Sequence, residues 1–327
     1  MAGIAYIDRK QGELKLDGSA IAVYAGGERV GTVPLAPLGR IVVVGDLLIH
    51  TPLLHRLAEH GVDAVFLSGK RQRYRGRLVG RLHRHARLRI RQYELSTGPF
   101  ALALARGWIG KKLEGQVSLL NEMIEHRPAV RRELFRAAEV IGQAAEKARA
   151  TKSLESLRGL EGGAAAAYFA AFSHVFPEGL FNGRTRRPPR DPVNALLSLT
   201  YTLVHYEWVR ECETIGFDSL IGFYHQLDYG RESLACDLTE PFRPEVDRWI
   251  WHLFRSRRFT ERDFADERER AGFYLKKGAR GRYYQDYEEW IAPRRSAMRD
   301  EVQALARSIL DGEDPLSYGE SETARSA

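Results

Sequence analysis

Leu95-Ser96-Thr97-Gly98-Pro99 is the stretch that divides this chain of 327 residues into two kinds of sequence. Glycine and proline next to serine and threonine are typical of a turn between structural elements. Short β-branched runs bounded by glycine precede the turn, and leucine, isoleucine and alanine recur at helical spacing after it. The sequence therefore predicts an α+β protein, with a small β-rich N-terminal domain (residues 1–95) and a larger all-α domain (residues 96–310). Residues 311–327 form a polar tail that we expect to be frayed.

Three apolar runs rich in β-branched residues predict strands in the N-terminal domain. They cover residues 21–24, 41–44 and 62–67. Residues 47–60 have a helical period, with Leu53 and Leu57 on one face, and Gly61 is placed to end that helix. One helix among several short strands indicates a small β domain.

Six segments of the second domain have apolar residues at helical spacing with charges between them. They cover residues 100–125, 129–150, 154–176, 192–215, 244–257 and 293–310. Pro192, Pro244 and Pro293 fall at predicted first turns, where a missing amide hydrogen costs no helical hydrogen bond. The second domain is therefore predicted to be a set of helices.

The composition excludes several classes of protein. Hydrophobic residues make up 44% of the chain, which is too much for general disorder, and the mean hydropathy is −0.38. No run of about 18 apolar residues could span a membrane, and no secretory signal is visible. Cys212 and Cys236 are too few for a disulfide framework or a cysteine-rich zinc site. We therefore expect a cytoplasmic protein that does not act at a membrane.

The positive charge is concentrated at the beginning of the chain. Lysine and arginine number 50 against 43 acids, so the formal net charge is +7. The first 95 residues carry a net charge of +8, and the rest carry −1. Most of this excess lies in residues 70–91, the basic stretch, which holds ten Lys or Arg and no acid. Such a stretch suits a polyanionic partner, although it could instead pack against a second copy of the chain.

Glu161 and His225 each allow two interpretations. Glu161 is a single carboxylate in a run of glycine and alanine. Small neighbours would let another helix approach and desolvate it, or it could be a surface residue in a first helical turn, favoured by the helix dipole. His225 follows two aromatic residues. It could be a core or rim histidine, or it could bind a ligand.

Asp237 and Glu240 are three residues apart and would share a face if their segment is helical. Like charges on one face need a cation between them. Arg243 could supply it, which would make a structural ion cluster, or a divalent metal could. Carboxylates with one imidazole suit Mg²⁺ or Mn²⁺ better than a thiolate-bound metal.

Two further clusters of basic residues suit phosphate contacts. The first surrounds two prolines and consists of Arg184, Arg186, Arg187 and Arg190. The second alternates with tyrosines that could stack on bases, and consists of Lys276, Lys277, Arg280 and Arg282. For each, the alternative is an ordinary solvated loop.

Four motifs, taken in order, resemble the CRISPR-associated integrase family (Cas-one), which inserts new spacers into CRISPR arrays. They are Arg158-Gly159-Leu160-Glu161-Gly162 before an alanine-rich helix with Tyr168-Phe169, Arg187-Pro188-Pro189-Arg190-Asp191-Pro192-Val193-Asn194-Ala195-Leu196-Leu197-Ser198, Gly222-Phe223-Tyr224-His225, and Gly230-Arg231-Glu232-Ser233-Leu234-Ala235-Cys236-Asp237-Leu238-Thr239-Glu240-Pro241-Phe242-Arg243-Pro244. The resemblance covers nearly the whole chain, and the four motifs show no departure at the metal-ligand positions.

The resemblance implies a metal-dependent DNA endonuclease and integrase whose helical domain is catalytic. It implies Glu161, His225 and Asp237 as ligands of Mg²⁺ or Mn²⁺, with Glu240 as a further catalytic acid. Arg243 and Asn194 would contact DNA or support the site, and Tyr201 or Tyr168 would match a tyrosine that some members use. The implied partners are prespacer and repeat DNA, a second copy in a homodimer, and the small subunit Cas-two.

Two other functions stay open at this point. The protein could act mainly as a nuclease on branched or single-stranded DNA, with integration secondary. It could also be a nucleic-acid-binding module in which Asp237, Glu240 and Arg243 form only a structural ion cluster.

Overall fold

The computed structural model describes residues 3–36, 38–69, 72–78, 85–185, 188–225, 228–267 and 272–311. Parts of the basic stretch, Arg186, Arg187 and the polar tail beyond Asp311 lie outside these residues. The chain forms two compact units. One unit contains residues 1–83 and 281–290, and the other contains residues 84–280 and 291–327. The expected division at residue 95 therefore differs from this one, and the segment of residues 281–290 joins the N-terminal unit.

A six-stranded mixed sheet forms the first unit, and its strand order is β3-β2-β1-β4-β5-β6. The strands are β1 (Gly3–Asp17), β2 (Ala20–Ala25), β3 (Glu28–Pro34), β4 (Leu38–Ile49), β5 (Asp63–Leu67) and β6 (Tyr74–Leu78). β4 runs parallel to both β1 and β5, and the remaining pairs are antiparallel. Leu14, Ile21 and Ile41 are fully buried in its core. The predicted β-rich domain is confirmed.

The predicted helix over residues 47–60 is shorter than expected. β4 continues to Ile49 because residues 47–49 pair with residues 12–14 of β1. Helix α1 (Thr51–Glu59) follows and buries Leu53 and Leu57. Gly61 comes after the helix in the left-handed region, with φ of +64°, as its predicted role at the helix end requires. Pairing with a strand distant in sequence therefore outweighs the local helical period.

Helices make up most of the second unit. They are α2 (Ala86–Leu95), α3 (Pro99–His126), α4 (Arg131–Ala150), α5 (Leu154–Ser173), α6 (Pro192–Ile215), α7 (Ser233–Arg255), α8 (Lys277–Ile291), which continues into the first unit, and α9 (Arg295–Asp311). Two short strands, β7 (Phe264–Glu267) and β8 (Gly272–Leu275), form an antiparallel hairpin that the sequence does not predict. None of the helices in the described part of the chain is long and apolar enough to cross a membrane.

The turn at residues 95–99 joins α2 to α3, so it connects two helices rather than the two domains. α2 begins inside the basic stretch and ends four residues beyond it, in a region where the sequence predicts no helix. Hydrogen bonds from side chains of α2 attach this helix to the rest of the second unit. Gln92, for example, is fully buried and donates to the carbonyls of Asp218 and Ile221 at 2.8 and 2.7 Å.

Helix α7 begins eleven residues earlier than the sequence predicts, at Ser233 instead of Pro244. Pro241 and Pro244 both lie inside it, although each lacks the amide hydrogen that a helix interior uses. Close packing against α3 compensates. A Cβ built on Gly115 of α3 would lie 2.9 Å from Cγ of Pro244, so only glycine allows this approach. The packing brings α3 beside the part of α7 that carries Asp237 and Glu240.

Candidate functional site

Asp237 and His225 form a tightly bonded pair. Asp237 lies in the second turn of α7 and is fully buried. Its Oδ2 accepts the amide hydrogens of Phe223 and Tyr224 at 2.6 and 3.0 Å. Its Oδ1 accepts the amide hydrogen of His225 at 2.9 Å and lies 2.7 Å from Nδ1 of the same residue. A carboxylate has about four acceptor positions, so these four groups occupy them all.

This pairing orients the imidazole of His225. A carboxylate oxygen accepts, so a hydrogen is assigned to Nδ1, and Nε2 is the ring nitrogen that Asp237 leaves unengaged. Nε2 lies 3.9 Å from Oε1 of Glu240, and the side chain is 26% exposed. Metal-binding histidines are commonly held in this way, with one nitrogen donating to a carboxylate and the other directed at the metal. Gly222 makes room for the pair, since a Cβ there would lie 2.7 Å from Oδ2 of Asp237.

A buried lysine connects the two glutamates. Lys112 of α3 places its Nζ 2.6 Å from Oε2 of Glu240 on α7, and the same Nζ donates to Oε1 of Glu161 on α5. Nε of Arg243 lies 2.9 Å from the same oxygen of Glu240. The side chains of Lys112 and Glu240 are each 6% exposed, and that of Glu161 is 24% exposed. Three helices thus contribute alternating charges to one interior cluster.

The charge of Glu240 is fixed by its neighbours. Burial by itself would raise the pKa of this carboxyl. Arg243 and Lys112 outweigh burial and hold the pKa well below its usual range. Glu240 is therefore an anion at neutral pH although it is buried.

The structure contradicts one interpretation of Glu161 and agrees in part with the other. α5 begins at Leu154, so Glu161 lies in the helix interior and the first-turn interpretation is wrong. A Cβ at Gly159, Gly162 or Gly163 would meet nothing within 4 Å, so no helix packs closely over these glycines. The carboxylate of Glu161 is nevertheless partly desolvated, at 24% exposed, and it pairs with Lys112 of the neighbouring helix α3.

The sequence analysis misses Lys112. A signal for it is present, because Lys112 lies four residues after buried Trp108 and four before buried Gln116, on the interior stripe of α3. A lysine on such a stripe needs a buried acid as its partner. Neither the distance along the chain nor the local composition identifies that acid.

The two candidate tyrosines share one buried carboxylate. Tyr168 donates to Oδ2 of Asp247 at 2.9 Å, and Tyr201 donates to Oδ1. The guanidinium groups of Arg243 and Arg184 lie 4.6 and 5.6 Å from the Tyr201 ring. Burial raises the pKa of both phenols well above the usual value. In this arrangement the tyrosines are hydrogen-bond donors to Asp247.

We expect Asp247 to make the protein less stable as the pH rises from 4 to 7. Burial raises the pKa of Asp247 to about 6 from an ordinary 3.8, so the folded protein binds this proton more tightly than the unfolded chain. The resulting stabilisation is complete below about pH 4 and disappears as the pH rises through about 6. A difference of roughly two pH units corresponds to about 3 kcal/mol.

Urea unfolding of the wild type and of Asp247→Asn between pH 4 and 7 measures this effect. The stability of the wild type relative to the variant should fall by about 3 kcal/mol over that interval. A difference that stays constant with pH would show that Asp247 titrates normally.

The basic clusters divide into interior and exposed residues. Nη1 of Arg184 donates to Oδ1 of Asn194 at 2.8 Å, so it supports the loop before α6. Arg190 is exposed. Asn194 itself is buried and bonds Asp191, the N-cap of α6. Arg184 and Asn194 therefore have structural partners within the chain.

The second cluster is not a loop. Lys276 precedes α8 and Lys277 begins it, and both are exposed, but Arg280 within the helix is buried and donates to the carbonyl of Leu275 at 3.1 Å. Tyr283 and Tyr284 are buried and are therefore not available to stack on bases. Arg282 is half-buried. The exposed lysines are the residues of this cluster best placed to contact a phosphate backbone.

Relatives of known family match nearly the whole chain. The family model described as CRISPR associated protein Cas1 matches residues 5–289. The CRISPR-associated endonuclease Cas1 1 of Thermodesulfovibrio yellowstonii is 46% identical over 314 residues, which cover 95% of this chain and 98% of that protein. The endonuclease Cas1 3 of Thermus thermophilus is 33% identical, covering 94% and 93%.

Solved structures share the fold. A Cas1 protein from Thermotoga maritima matches with a TM-score of 0.82 and 23% identity, covering 95% of this chain and 97% of that one. A casposase bound to its integration product also has a TM-score of 0.82, with 20% identity and coverage of 98% and 94%. These likenesses confirm the α+β fold, and the sequence matches confirm the predicted family. The chain belongs to the Cas1 family of CRISPR-associated proteins.

Proposed function

We propose that this protein is a metal-dependent DNA endonuclease and integrase that inserts new spacers into a CRISPR array. In the reaction, the 3′-hydroxyl of a prespacer strand attacks a phosphodiester at the edge of a repeat. The observation that carries the proposal is the convergence of Glu161 and Glu240 on one buried cation, next to the oriented imidazole of His225. These residues stand in the motifs that the Cas1 family match covers.

The donor set fits a divalent metal in its chemistry. The ammonium of Lys112 lies between the carboxylates of Glu161 and Glu240, so this part of the site already accommodates a cation, and a divalent ion bound to Glu161 would compete with that ammonium. Within the described residues, no three His, Cys, Asp or Glu side chains are already grouped around a position for a metal. Glu161, His225 and Asp237 would hold the ion, with Glu240 beside them. Asp237 has to release one of its four hydrogen bonds to do so.

A divalent metal bound there would polarise the scissile phosphate and stabilise the negative charge that develops on oxygen. The chain itself supplies orientation and charge. Asp237 fixes the His225 ring, and Arg243 keeps Glu240 ionised. Exposed basic residues such as Arg190, Lys276 and Lys277 would contact phosphates and position the DNA without reading its sequence.

The proposed partners are DNA, a second copy of this chain in a homodimer, and the small adaptation subunit Cas2. Solved structures that share this fold support Cas2 and DNA as partners by their titles, and the homodimer is an expectation from the family resemblance. One of these structures is a Cas6-RT-Cas1–Cas2 complex, which matches with a TM-score of 0.83 and 24% identity. Another is the casposase bound to its integration product.

Strand transfer into a supercoiled plasmid that carries a CRISPR repeat tests the proposal. We expect joined products with Mn²⁺ or Mg²⁺, an increase when Cas2 is added, and none in EDTA. Cleavage of branched or single-stranded DNA without any joined product, with or without Cas2, would favour a nuclease whose integration is secondary.

A second candidate function is a DNA-binding module without catalysis, and the observation that favours it is that the charges of the ion cluster already compensate one another. Lys112 and Arg243 already neutralise Glu161 and Glu240, so the cluster could serve stability alone. In that case Mn²⁺ would neither raise the melting temperature nor support any turnover of DNA.

A further inference from the structure

Lys112 occupies an unusual position for a lysine. It lies on the buried stripe of α3, with Leu113 and Gln116 also buried beside it. Lysine is almost never fully buried unless it is paired, and this one is paired twice. Its two partners come from different helices, Glu161 from α5 and Glu240 from α7.

In the metal-free protein, Lys112 offsets the repulsion between the carboxylates of Glu161 and Glu240. Glu161 and Glu240 both contact one ammonium nitrogen, so their carboxylates lie close to each other. Arg243 also pairs with Glu240, with its Nε 2.9 Å from Oε2, whereas among the described residues the ion pair of Glu161 is with Lys112. Without Lys112, the two carboxylates would repel each other in a largely desolvated space.

We infer that Lys112 is a positioning residue that holds Glu161 and Glu240 at one cation position in the metal-free protein and gives up that position to the incoming metal. This inference rests on the proposed metal site. The inference goes beyond that site in two ways. It assigns a role to a residue outside the four motifs, and it describes metal binding as displacement of the Lys112 ammonium. Metal affinity is then set by a competition between a divalent ion and the protein's own ammonium.

The competition predicts the direction in which metal affinity changes when Lys112 is replaced. Replacing Lys112 by methionine keeps the length of the side chain and removes its charge. The two carboxylates then lack the cation that they share, although Glu240 keeps Arg243, so the metal-free protein is destabilised while the metal no longer competes with the Lys112 ammonium. A lysine with a purely structural role would also lower stability when removed, but it would leave the intrinsic metal affinity unchanged.

The experiment measures Mn²⁺ binding by electron paramagnetic resonance and melting temperature in EDTA and in Mn²⁺. For Lys112→Met we expect a Kd for Mn²⁺ at least tenfold lower than in the wild type. We also expect a lower melting temperature in EDTA and a larger rise on adding Mn²⁺. Lys112→Arg keeps a cation and should not gain affinity. Lys147→Met, at an exposed position on α4, serves as the control for the substitution itself.

The outcomes separate this inference from the proposed function. Wild-type binding of Mn²⁺ with an equal or higher Kd in Lys112→Met overturns the inference and leaves the metal site standing. Absence of Mn²⁺ binding in the wild type and in Lys112→Met overturns the metal site and the inference with it. If Lys112→Met is unfolded in EDTA, Mn²⁺ has to restore its circular dichroism spectrum. A variant that stays unfolded with Mn²⁺ contradicts the displacement.

Discussion

Replacing Asp237 by alanine should destabilise the protein by about 3 kcal/mol or more, before any effect on chemistry is considered. The carboxylate accepts the amide hydrogens of Phe223, Tyr224 and His225, and it is fully buried. Removing it leaves these three amide groups, and Nδ1 of His225, without their acceptor. Each buried donor left unpaired costs on the order of 1–3 kcal/mol, and water entering the space relieves part of that cost. Urea unfolding followed by circular dichroism measures the loss.

Asp228→Ala is the matched control for this substitution. Asp228 is an exposed acid near the same segment and pairs with Arg231 at 2.7 Å. Its removal should change stability by less than about 0.5 kcal/mol, because exposed ion pairs contribute little. An Asp237→Ala protein as stable as the control would mean that the hydrogen bonds of Asp237 do not hold the segment before α7.

This expectation affects how an inactive Asp237→Ala protein would be interpreted. Loss of activity would follow from a displaced His225 as readily as from a lost metal ligand, because the same carboxylate orients the imidazole. Metal ligation at Asp237 therefore needs a direct measurement of Mn²⁺ binding. Glu161 gives a cleaner test, since its hydrogen-bond partner within the described part of the chain is the single side chain of Lys112.

The elements that the sequence predicts accurately are those with local signals at both ends. The bounds predicted for α6 are the observed Pro192–Ile215. Asp191 caps its start by accepting from the amide of Asn194, and Gly216 ends it with φ of +114°. Capping and left-handed glycine are interactions within a few residues, so they can be read from the sequence alone.

The elements that the sequence predicts poorly depend on distant contacts. Pro244 suggests a helix start, yet packing against Gly115 lets α7 run through it. The helical period after Leu47 is overridden because β4 pairs with β1. In both places, tertiary contacts stabilise a conformation that the local sequence disfavours.

The same division applies to the candidate site. His225, Asp237 and Glu240 lie in motifs that are close along the chain, and the structure brings them into contact. Lys112 is 49 residues from Glu161 and 128 from Glu240. Its role depends on how three helices pack, which no local pattern records.

Replacing Glu161 by glutamine should lower metal-dependent cleavage and strand transfer by about a thousandfold or more, equivalent to about 4 kcal/mol in the barrier. The amide has nearly the same volume as the carboxylate, so packing is preserved. The charge that would bind the metal is lost. DNA binding, measured by fluorescence anisotropy at fixed salt, should change by no more than a few-fold, because the proposed phosphate contacts would come from basic residues elsewhere.

Two comparisons make this test specific, namely the unfolding free energy of Glu161→Gln and the activity of a control variant, Glu155→Gln. Glu161 is 24% exposed, and its amide can still accept from Lys112, so the loss in unfolding free energy should stay below about 2 kcal/mol. Glu155→Gln, on an exposed position of the same helix, should retain full activity. A Glu161→Gln protein that keeps more than a tenth of wild-type turnover would place the metal, if one is used, away from Glu161. Equal losses of activity in Glu161→Gln and Glu155→Gln would instead indicate that the net charge of α5 is what matters. Only loss at Glu161 alone, with folding and DNA affinity retained, assigns the chemistry to the acid that faces Lys112.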